Sequence, residues 1–400
     1  MKDRDSIFHA FCWSVAAPAV GLLLIGLLFV WSTTSRDGTP LLARQALFVL
    51  AGALAGAVVM KIGVRNLAPL SGAFYLLVLG LLVAMPVIAH SGPGLAGETD
   101  RWISLGFGFK LQPSEFMKLA LVFALAWHLR HRGVTNTWGS YAFPFLITAV
   151  PWFFVMRQPD LGSSLVLLPV FLAMVTVSGA RGRHVALLAT SAAVLLPVAY
   201  FVPGVLREYQ RERLDAFLKP IPALMEEARE LRQQKDHEAA QEVEATISRL
   251  RRGTGRQQFY SVVAIGSGGV IGQGLGDGAQ NLSRRVFASH ADFIFAAVGE
   301  EWGLFGTSLT VFLYVALVGG VLAVAWRTRE PFGRLLCVGV AALIGSQALM
   351  NLGIATGMLP VTGLPLPLVS YGGSSIVSTL VGLACVMDVA RQRTTVFFES

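Results

Sequence analysis

The chain has 400 residues, of which 54% are hydrophobic and only 14% are charged, and its mean hydropathy is +0.61. Soluble domains carry much more charge, so this composition indicates an integral membrane protein. Lipid offers no hydrogen-bond partners to the backbone, and the long Leu/Val/Ala runs favour helices over a closed barrel. The formal charge of +8 is spread over short loops, which argues against a nucleic-acid partner.

Apolar segments predict an all-α fold, a polytopic transmembrane helix bundle of about ten spans. An even number of spans places both termini on one side of the membrane. The first span lacks a small-residue cleavage site, so we expect it to be retained. The spans are predicted near residues 11–31, 46–64, 69–89, 115–131, 140–156, 161–179, 184–203, 293–326, 332–352 and 374–390.

Basic residues in the short loops predict the orientation, because cytoplasmic loops are enriched in Lys and Arg. The groups that share one face are Lys2/Arg4, Lys61/Arg65, His128 to Arg132, Arg181/Arg183, Arg327/Arg329/Arg334 and Arg391/Arg393. We therefore expect a multi-pass protein of the cell inner membrane with cytoplasmic N- and C-termini. The loops expected on the outer face are 32–45, 90–114, 157–160, 204–292 and 353–373.

Three regions are predicted along the chain. Residues 1–203 hold spans one to seven, 204–292 form a large extracytoplasmic loop, and 293–400 hold spans eight to ten and the C-terminus. Residues 221–252 combine dense charge, strong helix formers and a thin apolar stripe. We predict an amphipathic helix or helical hairpin there, exposed outside the membrane. It is either a solvated addition to the loop or a surface that docks on the membrane or a partner.

Ionisable residues at the ends of spans are costly in lipid and mark candidate functional sites. Pro113 in a first turn and Ser114 as an N-cap predict the start of the fourth span. Glu115 and Lys118 then share one face of that helix, so we predict that they contact each other or a common ligand. The pair either fastens helices together or, through Lys118 with Arg101, binds an anionic headgroup.

Two carboxylates stand at the outer ends of later spans. Asp160 lies in the tight turn QPDLG, where it either caps the next helix or lines a cavity. Asp292 opens the eighth span. It is either a helix cap or a general base whose pKa is raised by desolvation at the membrane boundary.

Two segments are rich in glycine or irregular in pattern. The glycines of residues 266–276 follow no predicted strand, so they do not form a dinucleotide site. They instead allow the backbone to approach lipid headgroups or another helix closely. Residues 351–375 predict irregular backbone at membrane depth, which persists only where protein or a water-filled cavity supplies hydrogen-bond partners, and we expect it to line the same cavity. Neither the histidines nor Cys12, Cys337 and Cys385 show metal-ligand spacing, so no metal site is predicted.

Five stretches, in order between residues 101 and 375, closely resemble the SEDS family (shape, elongation, division and sporulation proteins), and the overall match is most similar to its elongation member. The stretches are RWISLGFGFKLQPSEFMKLA, RQPDLGSSLV, AIGSGGVIGQGLG, HADFIFAAVGEEWG and NLGIATGMLPVTGLPLPLVSYGGSS.

The resemblance implies a peptidoglycan glycosyltransferase that polymerises lipid II at the outer face during cell elongation. It also implies a class B penicillin-binding protein and the elongation machinery as partners. By motif match, Asp292 inherits the catalytic aspartate of the family. Glu115, Lys118 and Asp160 fall on its other polar cavity positions, and Trp102 on its outer-loop tryptophan.

The implied mechanism uses one side chain as the proton acceptor and two cationic side chains to neutralise the leaving group. Asp292 takes the proton of the acceptor 4-hydroxyl, which attacks the donor as undecaprenyl pyrophosphate leaves, and Lys118 and Arg101 neutralise the leaving group. No second acid is required, and a transient divalent cation at the pyrophosphate is possible. The insert at 221–256 is longer than the usual family loop, and Ala291 replaces a frequent Thr.

Two other functions fit the same features. A lipid II flippase would use the polar cavity to carry a headgroup across the membrane, and a non-catalytic scaffold would only recruit the penicillin-binding protein. A flippase needs polar groups that continue to the cytoplasmic side, whereas the candidates here cluster on the outer half. The sequence therefore favours the enzyme.

Overall fold

The computed structural model describes residues 2–35, 41–90, 101–106, 109–130, 139–158, 160–188, 190–191, 202, 208–218, 221–234, 236–250, 254–279 and 290–396. In these residues the helices are α1 (Lys2–Thr34), α2 (Leu41–Ile62), α3 (Val64–Leu67), α4 (Ser71–His90), α5 (Pro113–Leu129), α6 (Gly139–Arg157), α7 (Leu161–Val177), α8 (Glu208–Leu218), α9 (Ile221–Gln233), α10 (His237–Leu250), α11 (Thr254–Ser267), α12 (Ile294–Arg327), α13 (Pro331–Ala355) and α14 (Gly373–Val396). A short 3-10 turn, Ala68–Leu70, joins α3 to α4.

The membrane-spanning prediction is confirmed, since seven described segments are long and apolar enough to cross a bilayer. Two further helices, α5 and α7, have 17 residues each. Every predicted span except that at 184–203 coincides with one of the helices. In that range residues 184–188 and 190–191 are helical, and the rest lies outside the described residues. The molecule is therefore an all-α polytopic bundle.

Helix α13 lies at the centre of the bundle, where it packs against α5, α7 and α12. Its buried residues occur on all sides of the helix, as expected for a span surrounded by protein. Gly339 lets α5 come close, because a Cβ there would lie 2.5 Å from Val122 Cγ1. Small residues of this kind allow helices to pack tightly in lipid, where no hydrophobic force drives association.

Helices α2 and α14 make the most extensive pairing in the bundle. Gly52 and Gly56 stand four residues apart on α2 and face α14. A Cβ on Gly52 would lie 2.7 Å from Leu380 Cδ1, and one on Gly56 would lie 3.0 Å from Ala384 Cβ. This is the small-xxx-small pattern of tightly packed membrane helices.

Helix α12 is broken at Gly303, whose φ of 63° and ψ of −151° are not helical. A segment of residues 268–279, here called the glycine loop, lies against the break. The main-chain N–H of Leu304 donates to a loop carbonyl at 2.9 Å, and the carbonyl of Glu300 accepts from a loop N–H at 3.0 Å. The loop therefore supplies hydrogen bonds to backbone groups beside the break.

The glycines of this loop are required by the close approach. A Cβ on Gly268 would lie 1.9 Å from the carbonyl oxygen of Gly299, and one on Gly272 would lie 2.1 Å from that of Glu301. Real Cβ atoms do not come that near, so no larger residue fits at either position without movement of the backbone. Of the two expectations for these glycines, the structure shows close approach to a helix.

The charged insert is a helical hairpin. Helices α9 and α10 pack against each other and bury an apolar cluster with α8. The cluster consists of Ala216, Ile221, Leu224, Ala228 and Ile247, with Val243 and Phe259 packed against it. The helical prediction for this region is thus confirmed, in its hairpin form.

Two elements were not predicted from the sequence. Residues Ile103–Gly106 (β1) and Phe109–Leu111 (β2) form an antiparallel hairpin in which Ile103 pairs with Leu111. Residues Thr254–Ser267 of the long loop form α11, which packs on α12. Irregular backbone also begins later than predicted, because α13 continues to Ala355 and the non-helical segment is 356–372.

Candidate active site

Asp292 lies just before α12, in a turn in which three consecutive backbone carbonyls, those of residues 290, 291 and 292, each accept a hydrogen bond. The main-chain N–H of Tyr371 donates to the carbonyl of residue 290 at 2.9 Å. Ser370 Oγ donates to the carbonyl of residue 291 at 2.6 Å. Asn351 Nδ2 donates to the carbonyl of Asp292 itself at 2.8 Å. The irregular segment after α13 and the end of α13 therefore fix the position from which the Asp292 side chain projects.

Asp292 does not cap the helix that it precedes. The N-cap of α12 is Phe293, and no side-chain hydrogen bond caps the helix. The capping alternative for Asp292 is therefore wrong. The other alternative from the sequence, a general base, stays a prediction.

Desolvation raises the pKa of Asp292 from 3.8 to about 6. Arg213 opposes this rise most strongly, Asp160 adds to it, and Arg101 lowers the pKa. A carboxyl group in that range exchanges a proton near neutral pH, as a general base must. The charge state of Asp292 therefore depends on one neighbouring carboxylate, Asp160, and on two guanidinium groups, those of Arg213 and Arg101.

Asp160 caps the next helix, which is the first of the two alternatives predicted for it, and it also bonds to a second helix. Its Oδ1 accepts from the main-chain N–H of Ser163 at 3.0 Å, so it caps α7. Its Oδ2 accepts from Gln112 Nε2 at 3.0 Å and from Ser114 Oγ at 3.1 Å. Asp160 therefore joins the start of α7 to the start of α5, and its charge reaches Asp292.

The prediction that Ser114 caps α5 is wrong. The N-cap is Gln112 and makes no side-chain cap hydrogen bond, while Pro113 occupies the first turn as predicted. The Ser114 hydroxyl turns instead to Asp160. The main-chain N–H of Gln112 donates to Ser374 Oγ at 2.9 Å, which connects the β-hairpin to the start of α14.

Glu115 and Lys118 form the predicted ion pair, with Nζ 2.7 Å from Oε1. Both side chains are almost fully buried. Lys118 Nζ also donates to Gln347 Oε1 at 3.2 Å, and Gln347 Nε2 donates to the carbonyl of Pro365 at 3.1 Å. The pair is thus connected to the segment that holds Asp292.

Arg213 is a site residue that the sequence analysis missed. It lies on α8, shortly before the charged region 221–252 that was predicted to be exposed, and nothing in its local pattern distinguishes it from neighbouring arginines. Its Nη1 and Asp292 Oδ2 lie 3.9 and 3.6 Å from the position that a Cβ on Gly363 would occupy. Asn351 and Ser370 were also missed as individual residues, although they lie in a quoted motif whose polar residues at membrane depth gave a signal.

Arg101 and Trp102 are the remaining residues that were predicted for the site. Arg101 acts on Asp292 electrostatically. Trp102 is half-buried beside it, and no hydrogen bond or ring contact joins Trp102 to another residue that the structure describes. Within the described ranges, no group of three or more His, Cys, Asp or Glu side chains is arranged to hold a metal ion.

Comparison with known proteins identifies the family. The family described as "Cell cycle protein", which groups FtsW, RodA and SpoVE, matches residues 10–395. The chain belongs to this family, the SEDS proteins. Among SEDS relatives, "Probable peptidoglycan glycosyltransferase FtsW" of Geobacter metallireducens is 34% identical over 383 residues, which cover 93% of this chain and 92% of the relative. The protein of that name from Nitrosococcus halophilus is 33% identical and covers 94% and 90%.

Two solved SEDS-like structures share the fold. A chain from "Structural coordination of polymerization and crosslinking by a peptidoglycan synthase complex" has a TM-score of 0.74 and 30% identity, covering 95% of this chain and 98% of that one. Rod shape determining protein RodA of Thermus thermophilus has a TM-score of 0.65 and 28% identity, covering 95% and 97%.

Proposed function

We propose that this SEDS protein is a peptidoglycan glycosyltransferase that polymerises lipid II at the outer face of the cytoplasmic membrane. The observation that carries the proposal is Asp292, a carboxyl group with a pKa of about 6 that caps no helix and lies in a turn where the carbonyls of residues 290, 291 and 292 each accept a hydrogen bond. The names of the relatives support the same activity.

Asp292 accepts the proton of the acceptor sugar's 4-hydroxyl in this mechanism. The hydroxyl oxygen forms a bond to the anomeric carbon of the donor, and the bond from that carbon to the pyrophosphate oxygen breaks. Undecaprenyl pyrophosphate leaves with the electron pair. Because pyrophosphate is a good leaving group, one carboxylate and a clamp of positive charge are sufficient.

The positive charge comes from Arg101 and Lys118. Arg101 already acts on Asp292 and presents a planar group suited to phosphate oxygens. Lys118 gives two of its three N–H donors to Glu115 and Gln347, which leaves the third for a phosphate oxygen. Trp102, Glu115 and Asp160 complete the substrate site in this proposal, with a divalent cation at the pyrophosphate as an optional addition.

The location and partners of the protein are part of the same proposal. We place it in the inner membrane with both termini in the cytoplasm, as the loop charges predict. A class B penicillin-binding protein is the proposed transpeptidase partner, supported by the similarity to a chain of a peptidoglycan synthase complex.

The elongation role predicted from the sequence is a further proposal. The two relatives described above carry the name FtsW, while a solved structure of similar fold is RodA. Depletion in rod-shaped cells that depend on this protein separates the roles: loss of an elongation enzyme gives round cells, whereas filaments would assign the protein to division.

The enzyme itself is tested with Asp292→Asn, which removes the proton acceptor and keeps the shape of the side chain. Purified wild-type protein in detergent is incubated with labelled lipid II, and polymer is resolved on a gel. We expect the Asn variant to lose at least ~100-fold in polymerisation with an unchanged melting temperature. Near-normal polymer from the variant would remove Asp292 from the mechanism, and no polymer from wild type would favour the flippase or scaffold.

A further inference from the structure

Helix α8 brings a basic side chain from the charged loop to the active-site carboxylate. Arg213 is half-buried, and its Nη1 has no solvent exposure. Gly363, on the segment after α13, has a φ of +77°, and a Cβ built on it would lie 3.6 Å from Asp292 Oδ2 and 3.9 Å from Arg213 Nη1. Three separate parts of the chain therefore converge at this point.

The position of Arg213 depends on how α8 is packed. Ala216, one turn further along α8, is buried in the apolar cluster with Ile221 and Ile247 of the hairpin. Gln210, one turn earlier, is also buried, and α8 contacts α11. Arg213 thus lies on the buried face of α8, and the hairpin packs against that same face through Ala216.

We propose that Arg213 is a positioning residue for glycosyl transfer, whose nearby charge keeps Asp292 in the carboxylate form that accepts the proton of the acceptor hydroxyl. This inference rests on the proposed function and extends it, because it gives the charged insert a part in the chemistry. The insert anchors α8, and α8 presents the guanidinium.

The charges around Asp292 explain why such a residue is needed. Burial and the neighbouring Asp160 both favour the protonated form of Asp292, whereas Arg213 and Arg101 favour the ionised form, and Arg213 has the larger effect of the two. Without Arg213, only Arg101 would lower the pKa of Asp292 against the rise caused by desolvation and by Asp160. Asp292 would then hold its proton at neutral pH and fail as a base.

The test measures the protonation of Asp292 directly, without reference to activity. Dicyclohexylcarbodiimide modifies protonated carboxyl groups, and peptide mass spectrometry gives the modified fraction of Asp292 at each pH. We expect the midpoint of the modification curve to rise by about 1 pH unit or more in Arg213→Gln. Arg213→Lys keeps the positive charge and should leave the midpoint close to that of wild type.

Arg211→Gln is the matched control, since Arg211 lies on the same helix and is not among the groups that act on Asp292. It should leave the midpoint unchanged. An unchanged midpoint in Arg213→Gln, or an equal shift in Arg211→Gln, would overturn the inference. Melting temperatures of all variants show whether each is folded.

The lipid II assay adds a second readout that separates this inference from the proposed function. For a 1-unit shift, Arg213→Gln should lose about threefold in kcat at pH 6.5 and recover at pH 8.5. A raised KM at every pH with no shift in the profile would make Arg213 a substrate contact and refute the positioning role. Wild-type protein that makes no polymer would refute the proposed function. The modification curves would still show whether Arg213 affects the protonation of Asp292.

Discussion

At the scale of single residues, the candidate site contains side chains that bind the backbone as well as side chains that are proposed to bind substrate. Asn351 donates to the carbonyls of both Asp292 and Leu364, so one amide joins the start of α12 to the irregular segment. Ser370 donates to the carbonyl of residue 291 and accepts from the N–H of Leu366. Both are fully buried, and substitution of either would leave polar backbone without a partner.

The sequence predicted the charged residues of the site better than these polar supports. Asp292, Asp160 and the Glu115/Lys118 pair stood out because charge is costly in lipid. Arg213 gave no such signal, because an arginine in a charged, water-accessible segment is ordinary. Only the tertiary packing of α8 brings it to Asp292.

Polymerisation should depend on pH through Asp292. The folded-state pKa is raised to about 6, and the base is active only when ionised, so activity should fall as pH drops through about 6. At pH 5 we expect roughly one tenth of the plateau rate. A rate profile of the purified enzyme between pH 4.5 and about 9 checks this expectation. A plateau that persists to pH 5 would contradict it.

Charge reversal tests the buried Glu115/Lys118 pair. Lys118→Glu alone places two carboxylates together without water, so we expect a loss of about 3–5 kcal/mol in stability. Glu115→Lys combined with Lys118→Glu should recover part of that loss, measured as melting temperature in detergent. Equal damage in the single and double variants would argue against a simple pair.

An exposed pair in the same chain serves as control for that experiment. Arg232 and Glu244 lie 2.5 Å apart with side chains 63% and 41% exposed. Reversal of Arg232 should change stability by no more than about 1 kcal/mol, because water screens the pair.

At the scale of elements, the broken helix α12 packs against the glycine loop in the half of the bundle that contains Asp292. The sequence predicted that the glycines of 266–276 approach a helix or headgroups, and the structure shows the helix. It did not predict the break at Gly303, since a glycine within an apolar run is equally compatible with a straight span. The β-hairpin was missed because its strands have only four and three residues.

Substitution of Gly303 by Ala tests the break. Its φ of 63° disfavours a Cβ, which would also lie 2.5 Å from the main-chain nitrogen of Gly272. We expect Gly303→Ala to lose at least ~1–3 kcal/mol in stability. Gly319→Ala, in the same helix with open space around its Cβ position, should be neutral or slightly stabilising. Similar melting temperatures for the two variants would refute a rigid break.

At the scale of the whole molecule, the order and bounds of the spans were largely predictable. Apolar length alone identified them, because the bilayer imposes a minimum helix length. How the helices pack was not predictable, since α2 with α14, and α13 with α5 and α7, are pairs distant in sequence. Their contacts depend on small residues whose partners a single sequence does not reveal.

The predicted topology places the hairpin of α9 and α10 outside the cell membrane. Trypsin added to spheroplasts should cut at its exposed basic residues, of which Arg229 and Arg232 are examples, and give two fragments on an immunoblot. Intact cells with the outer membrane unbroken provide the control. Cleavage that appears only in inverted vesicles would reverse the orientation.

The contact between the glycine loop and α12 also bears on how the chain enters the membrane during synthesis. The first half of α12 carries buried Glu300 and Glu301, and Glu301 Oε2 accepts from Ser32 of α1 at 2.6 Å and from the N–H of Gly276 at 3.0 Å. Released alone into lipid, that half-helix would expose carboxylates and unpaired carbonyls. Ser32 of α1 and Gly276 of the glycine loop both precede α12 in the chain, so they have already been synthesised when α12 emerges from the ribosome. The translocon can therefore deliver α12 to these partners before the helix is exposed to lipid.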